Sequence, residues 1–139
     1  KLIASSGQHT LTIAPESHCE HLRNIINKKF DNDLFFDIIK KAKEIGIQHV
    51  VTSTFKAKFD SWKRFEMKFP KVAKQLRPLY FKKGEKIQNS FYLPQEIRRR
   101  LMEKVFEACQ KYKIPFATCR EGFLDLKTSK SCDGSHLIT

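Results

Sequence analysis

The sequence predicts an α/β fold made of βα units around a short parallel sheet. Three short β-type runs alternate with four helical patterns along the 139 residues, and such alternation favours right-handed parallel units. A chain of this length can bury a core, and a hydrophobic fraction of 40% excludes a wholly disordered protein. We therefore expect a single α/β segment over residues 1–139, with an irregular Cys/His tail over residues 119–139.

The three strand candidates are short apolar runs bounded by polar or turn-forming residues. Pro15 stops the first run, since proline cannot continue a strand ladder. A sheet of only three parallel strands has two open edges. We therefore expect the chain either to be part of a larger barrel or to pair its edges with another subunit. The predicted strands are Thr10 to Ala14, Ile47 to Thr52 and Pro115 to Thr118.

The helical patterns carry recognisable start and stop signals. The clearest helix is capped by Asp31 and closed by Gly46, because a left-handed position after a helix suits glycine. A third pattern begins near Asp60 and is interrupted at Pro70, which predicts a bent or broken helix. Pro94 suits the first turn of the last helix. The remaining features are a first helix capped by Ser17 and a polar connection from Gly84 to Ser90, interpreted as a hairpin or lid.

The chain is strongly basic, and its charge is unevenly spread. Lys plus Arg number 27 against 15 Asp plus Glu, which gives a formal net charge of +12. The stretch from Lys40 to Lys86 holds 14 basic and 4 acidic residues. A charge run is usually a solvated face, but this concentration favours an anionic partner, with nucleic acid first. The candidate phosphate contacts are Lys56, Lys58, Lys63, Arg64, Arg98 and Arg99.

Composition also bounds the location of the protein. No stretch approaches the roughly 20 apolar residues of a bilayer span, and residues 1–7 are too short and polar for a signal peptide. We expect a cytoplasmic protein without a membrane partner, and a fragment or processed product because an initiator Met is missing. Scattered cysteines in such a chain favour reduced thiols or metal ligands over disulfides. These cysteines are Cys19, Cys109, Cys119 and Cys132.

Polar residues follow each predicted strand. In βα architectures the active groups gather at the carboxyl ends of the strands. Any one of these residues could instead cap a helix or satisfy backbone groups, but the coincidence of three sets favours a polar pocket. The sets are Glu16 and Ser17 after the first strand, Thr52, Ser53 and Thr54 after the second, and Cys119, Arg120 and Glu121 after the third.

Two segments carry a family resemblance. Residues 12–17, Leu22-Arg23 and residues 26–28 resemble the fourth-strand region of radical-SAM enzymes with partial TIM barrels, in their cobalamin-binding and methylthiotransferase-like branches. From Gly46 onward the chain resembles archaeal proteins grouped with spore photoproduct lyase and DNA repair photolyase. The residues that carry this second resemblance are 53–56, 118–122 and 132–136.

The resemblance implies the C-terminal portion of a radical-SAM enzyme that acts on nucleic acid, in repair or modification. It implies that Glu16 and Ser17 lie near the ribose of S-adenosylmethionine. The CxxxCxxC loop that holds the [4Fe–4S] cluster is absent, so we expect it in an N-terminal half of the same protein, without which this chain is inactive. The implied roles are a cofactor- and substrate-facing pocket for Thr52, Ser53 and Thr54, catalysis for Arg120 and Glu121, and hydrogen-atom donation or auxiliary ligation for Cys119.

The tail allows a different interpretation. Cys119, Cys132 and His136 could supply three ligands to zinc or to an iron–sulfur cluster. The string at residues 132–136 also resembles the core of the CDGSH iron–sulfur family, although the upstream C-x-C pair of that family is reduced here to Cys119. A buried Cys119 with an exposed tail is the simpler possibility. Two alternatives to the enzyme therefore stay open, a basic nucleic-acid-binding module without catalysis and a small metal-binding protein.

Overall fold

A three-stranded parallel sheet is the centre of the protein. The computed structural model describes residues 10–13 and 32–137 of the chain. Within these residues the sheet has the order β1, β2, β5, and all neighbours run parallel. Its carboxyl ends therefore lie along one edge. The strands are β1 (Thr10–Ile13), β2 (His49–Thr52) and β5 (Phe116–Thr118).

Helices and a hairpin connect these strands. Among the described residues, one helix lies between β1 and β2, and two helices, a hairpin and a long helix lie between β2 and β5. The interrupted helix of the prediction is confirmed as two helices that meet at Phe69, with Pro70 in the first turn of the second. The helices are α1 (Asn32–Glu44), α2 (Phe59–Lys68), α3 (Pro70–Phe81) and α4 (Gln95–Lys111), and the hairpin strands are β3 (Glu85–Ile87) and β4 (Ser90–Tyr92).

Two glycines have physical reasons for their positions. Gly46 follows α1 with φ of 87°, the left-handed conformation predicted for it. Gly84 stands between α3 and the hairpin, where a Cβ atom would lie 2.1 Å from the carbonyl oxygen of Tyr92 and 2.5 Å from that of Tyr80. A side chain at position 84 would therefore separate the helix from the hairpin.

The buried apolar residues form two separate groups. The first, which we call the sheet cluster, packs α1 and α4 against the parallel sheet and includes Ile39, Val50 and Phe116. The second, the aromatic cluster, joins α2, α3 and the hairpin. Its buried members are Ala57, Trp62, Val72, Ala73, Leu76, Tyr80 and Leu93.

The α/β class, the three predicted strand regions and their parallel pairing are confirmed, to within two residues at the strand ends. The polar connection at residues 84–90 is a hairpin rather than a lid. The predicted helix capped by Ser17, and Glu16 with it, lie outside the described residues. A closed or partial TIM barrel stays a prediction. In the part of the chain that the structure describes, no helix is long and apolar enough to span a membrane.

Candidate functional site at the carboxyl edge of the sheet

The loops after β2 and β5 meet at the carboxyl edge of the sheet. The backbone N–H of Cys119 donates to the carbonyl oxygen of Thr52 at 3.0 Å, so the parallel pairing extends one residue past β5. Thr52 itself is fully buried. The ends of two of the three predicted strands are therefore adjacent, and the third polar set, Glu16 and Ser17, lies outside the described residues.

Glu121 is the centre of a hydrogen-bond network at this edge. Its side chain has no solvent exposure. The Oε1 atom accepts from the backbone N–H of Thr54 at 2.8 Å and from the Thr54 hydroxyl at 2.9 Å. Both loops are thus tied together by one carboxylate. Because the carboxylate is enclosed and occupied, its role in this geometry is to position the loops.

Arg98 completes the network from the first turns of α4. Its guanidinium donates to Glu121 at 2.9 Å and to Glu85 of the hairpin at 2.8 Å, and its Nε donates to the carbonyl of Leu93 at 2.9 Å. Arg98 is only 2% exposed. A buried guanidinium with these partners does not face a nucleic-acid phosphate, in contrast to the predicted role of this residue.

Tyr80 extends the same network into the aromatic cluster. Its hydroxyl donates to the carbonyl oxygen of Phe55 at 3.1 Å, just beyond the loop that follows β2. Burial, with a smaller contribution from the Glu121 carboxylate, raises the pKa of the Tyr80 phenol above its ordinary value. Tyr80 therefore stays protonated and keeps donating over the whole physiological pH range.

Three of the predicted site residues keep accessible side chains at this edge. Ser53 and Cys119 are half-buried, and Arg120 is exposed. Arg120 has φ of 55°, in the left-handed region that non-glycine residues rarely adopt. The solvent-facing chemistry of the edge is therefore a hydroxyl, a thiol and a guanidinium on the two loops that Glu121 ties together.

The part of the Cys/His tail that contains Cys132 and His136 lies at the opposite end of the sheet. His136 packs edge-on against His49, the first residue of β2, with ring centroids 5.5 Å apart. Cys119 instead follows β5 at the carboxyl edge, so the length of β2, about 10 Å, separates it from this region. Cys119, Cys132 and His136 therefore do not converge on a single ion. Within residues 36–137, no group of three or more His, Cys, Asp or Glu is arranged to hold a metal.

The tail has its own local contacts. The Nδ1 atom of His136 lies 2.6 Å from the Ser131 hydroxyl. Hydrogen bonds from the backbone and side chain of Ser135 lower the pKa of Asp133 to about 2. Burial lowers the pKa of His49, against a raising effect from its contact with the carbonyl oxygen of Cys132. The contacts of His49 with Cys132 and His136 hold this part of the tail against the amino end of β2.

A second candidate site is the cationic surface of α2, α3 and the hairpin. Between residues 56 and 86 lie eleven Lys and Arg residues and three Asp and Glu residues. Among the described residues, Arg77 is the one member of these eleven in an ion pair, with Glu66 at 2.8 Å. We call this set the basic surface. Its exposed members are Lys58, Lys63, Arg64, Lys68, Lys71, Lys74, Arg77, Lys82, Lys83 and Lys86.

Two further predicted phosphate contacts, Lys56 and Arg99, are less available to a phosphate than the exposed lysines of the basic surface. The Lys56 ammonium lies 5.7 Å from the centroid of the Tyr92 ring. Arg99 is partly exposed, but Glu103 at 2.8 Å and Asp125 already accept from it. Lys58, Lys63 and Arg64 remain exposed on or beside α2. The basic surface is therefore centred on α2, α3 and the hairpin rather than on the start of α4.

No protein-family model, curated protein or solved structure matches the chain. The radical-SAM resemblance thus rests on the residues that carry it and stays a prediction. Sequence reasoning missed Tyr80 and Glu85 as parts of the edge network. Their partners lie 25 and 13 residues away along the chain, and no local pattern marks such pairs.

Proposed function

We propose that this chain binds nucleic acid through the basic surface. The observation that carries the proposal is the accumulation of exposed cations on α2, α3 and the hairpin, of which only Arg77 is in an ion pair with another described residue. Lysine and arginine neutralise phosphates and release condensed counterions, which supplies most of the affinity of sequence-independent binding. Two of the three carboxylates in this region, Glu66 and Glu85, are held by Arg77 and Arg98, so they oppose an anionic partner only weakly.

Salt dependence tests this proposal. We expect the affinity for an oligonucleotide, measured by fluorescence anisotropy, to fall steeply as salt rises from low to physiological concentration. Lys71→Ala with Lys74→Ala should lower the salt slope by about 2, since each lost phosphate contact removes roughly one unit. Lys104→Ala with Lys111→Ala, on α4, is the matched control and should leave the slope unchanged. Binding that ignores salt, or no binding at all, would contradict the proposal.

A second candidate function is the substrate side of a radical-SAM enzyme. It is favoured by the parallel sheet whose carboxyl edge carries the accessible Ser53, Cys119 and Arg120. The described residues contain no ligand set for a [4Fe–4S] cluster, so the cluster and most of the S-adenosylmethionine contacts would belong to other parts of a longer protein. In this function Cys119 is the candidate hydrogen-atom donor to a carbon radical.

This function requires a longer protein that contains the chain, and such a protein provides the test. After anaerobic reconstitution it should be brown and should cleave S-adenosylmethionine. Cys119→Ala should keep the cleavage but alter the product formed from the nucleic-acid substrate. Cys132→Ala, which removes an exposed thiol from the opposite end of the sheet, should change neither. A colourless parent protein without cleavage would exclude this function and leave nucleic-acid binding intact.

A further inference from the structure

A pocket of about 490 Å³ opens beside the basic surface, between α2, α3 and the hairpin. Trp62, Phe81 and Phe91 are among the residues that line it, and we call these three aromatic residues its floor. Phe81 lies 4.9 Å from Trp62 and 4.7 Å from Phe91, measured between ring centroids. This volume is typical of ligand sites. We call it the aromatic pocket.

The rim of the aromatic pocket is cationic. Lys58, Lys63 and Lys86 line it and are exposed. The ammonium of Lys86 lies 5.8 Å from the centroid of the Phe91 ring. The rim carboxylate, Glu66, is engaged by Arg77. The rim therefore keeps a net positive charge around an aromatic floor.

Two residues that line the pocket are unusual in their surroundings. Trp62 is 5% exposed, and its indole Nε1 has no hydrogen-bond partner among the described residues. A buried N–H normally finds an acceptor, but this one is itself enclosed, so a ligand in the pocket reaches it only if neighbouring side chains move. Phe59, at the pocket mouth, is 83% exposed. A single exposed ring is common on protein surfaces, so Phe59 supports a binding surface only together with the partly exposed Phe81, which also lines the pocket.

We propose that the aromatic pocket receives one unstacked base of a single-stranded nucleic acid. Lys58, Lys63 and Lys86 contact the phosphates on either side of that base. The inference rests on the proposed nucleic-acid binding and specifies how part of the strand is held. Charge complementarity selects this occupant, because a planar, partly polar ring flanked by negative charges matches an aromatic floor with a lysine rim. An apolar peptide would leave the three lysines without partners.

The single tryptophan of the chain makes the occupancy measurable. Trp62 is the sole tryptophan and forms part of the pocket floor. An oligothymidylate of about ten nucleotides, within the range of strand lengths that such surfaces cover, should bind and quench Trp62 fluorescence. An abasic strand of the same length keeps the phosphates. Fluorescence anisotropy should show that the abasic strand binds, whereas the Trp62 fluorescence should stay unchanged.

A pair of variants locates the contact. Phe59→Ala removes the exposed ring at the mouth and should weaken oligothymidylate binding by roughly tenfold, with little effect on the abasic strand. Met67→Ala is the control, since Met67 is on the same helix and 75% exposed, and it should change neither affinity. Both side chains are solvent-facing, so neither change should perturb folding.

The possible results separate the two proposals. Equal binding of both strands without quenching would overturn the pocket and leave nucleic-acid binding standing. Thymidine monophosphate could also quench Trp62 as strongly as the oligothymidylate does. That result would identify a free nucleotide as the occupant and overturn the proposal that the pocket holds a base of a strand. Failure of both strands to bind would overturn the pocket together with the proposed function.

Discussion

The sheet cluster and the aromatic cluster differ in how they are built and in what surrounds them. The sheet cluster joins segments far apart in sequence, from Ile39 to Leu126, and packs mainly aliphatic side chains. The buried members of the aromatic cluster all lie between Ala57 and Leu93, and they stand under the densest positive charge of the chain. One cluster aligns the strand ends, and the other supports a cationic surface. The sheet edge and the basic surface are therefore supported by different hydrophobic clusters.

The two clusters are joined by polar contacts. Thr54 and Glu121 belong to the strand ends, whereas Tyr80 and Glu85 belong to α3 and the hairpin. Arg98 connects the two sides through its ion pairs with Glu121 and Glu85. Ion pairs of this kind require a definite geometry, because an unpaired buried charge is costly. The network therefore fixes where the basic surface stands relative to the sheet edge.

Loss of the Glu121 carboxylate should have the largest effect on this junction. Glu121→Ala leaves the Arg98 guanidinium buried without its main partner, and we expect stability to fall by about 3–5 kcal/mol. Chemical denaturation is followed by Trp62 fluorescence, which reports the aromatic region, and by far-ultraviolet circular dichroism, which reports the helices of both regions. The unfolding transitions recorded by the two methods should coincide in the unsubstituted chain and separate in Glu121→Ala.

A matched change at an exposed ion pair sharpens that result. Glu103→Ala removes a carboxylate from Arg99 on the same helix, where both partners are about two-fifths exposed. Exposed pairs contribute only about 0–1 kcal/mol. Equal losses for Glu103→Ala and Glu121→Ala would mean that burial of the network carries no special stability.

Substitutions at Gly84 and Gly46 should lower the stability by less than Glu121→Ala does, and by different amounts in the two clusters. Gly84→Ala pushes a methyl group into backbone oxygens of α3 and the hairpin, and we expect a loss of roughly 1–3 kcal/mol in the aromatic region. Gly46→Ala meets no atom within 4 Å and should cost about 1 kcal/mol from its left-handed backbone alone. Thermal unfolding of the two variants gives the comparison, and a larger loss for Gly46→Ala would contradict it.

His49 should give the smallest effect, visible only through pH. Its pKa is lowered by burial in the folded chain, so below about pH 6.5 the unfolded chain takes up a proton that the folded chain does not. Stability should therefore decrease as pH falls from about 7 to about 5.5, by less than about 1.4 kcal/mol per pH unit. His49→Gln should flatten this dependence, and an unchanged pH profile would exclude the explanation.

Local patterns in the sequence predicted the secondary structure well. The break at Pro70, the end of α1 at Gly46 and the hairpin at residues 84–90 each follow from backbone chemistry within a few residues. The candidate site was predicted less well. Arg98 looked like a surface cation at the start of a helix, and no local pattern marked Phe81 and Phe91 as the lining of a pocket. Burial depends on what packs against a side chain, and neighbouring residues do not encode that.

The sequence by itself determined the α/β class, the order of strands and helices, and the concentration of positive charge between Lys40 and Lys86. Periodicity, turn chemistry and composition are local properties, so they can be read from the chain directly. Only the tertiary structure decided that Glu121 is enclosed by Arg98 and Thr54. It also decided that Cys132 and His136 lie at the opposite end of the sheet from Cys119, and that three aromatic residues line one pocket. Each of these depends on contacts between residues far apart in the chain, and those contacts exist only once both cores have packed.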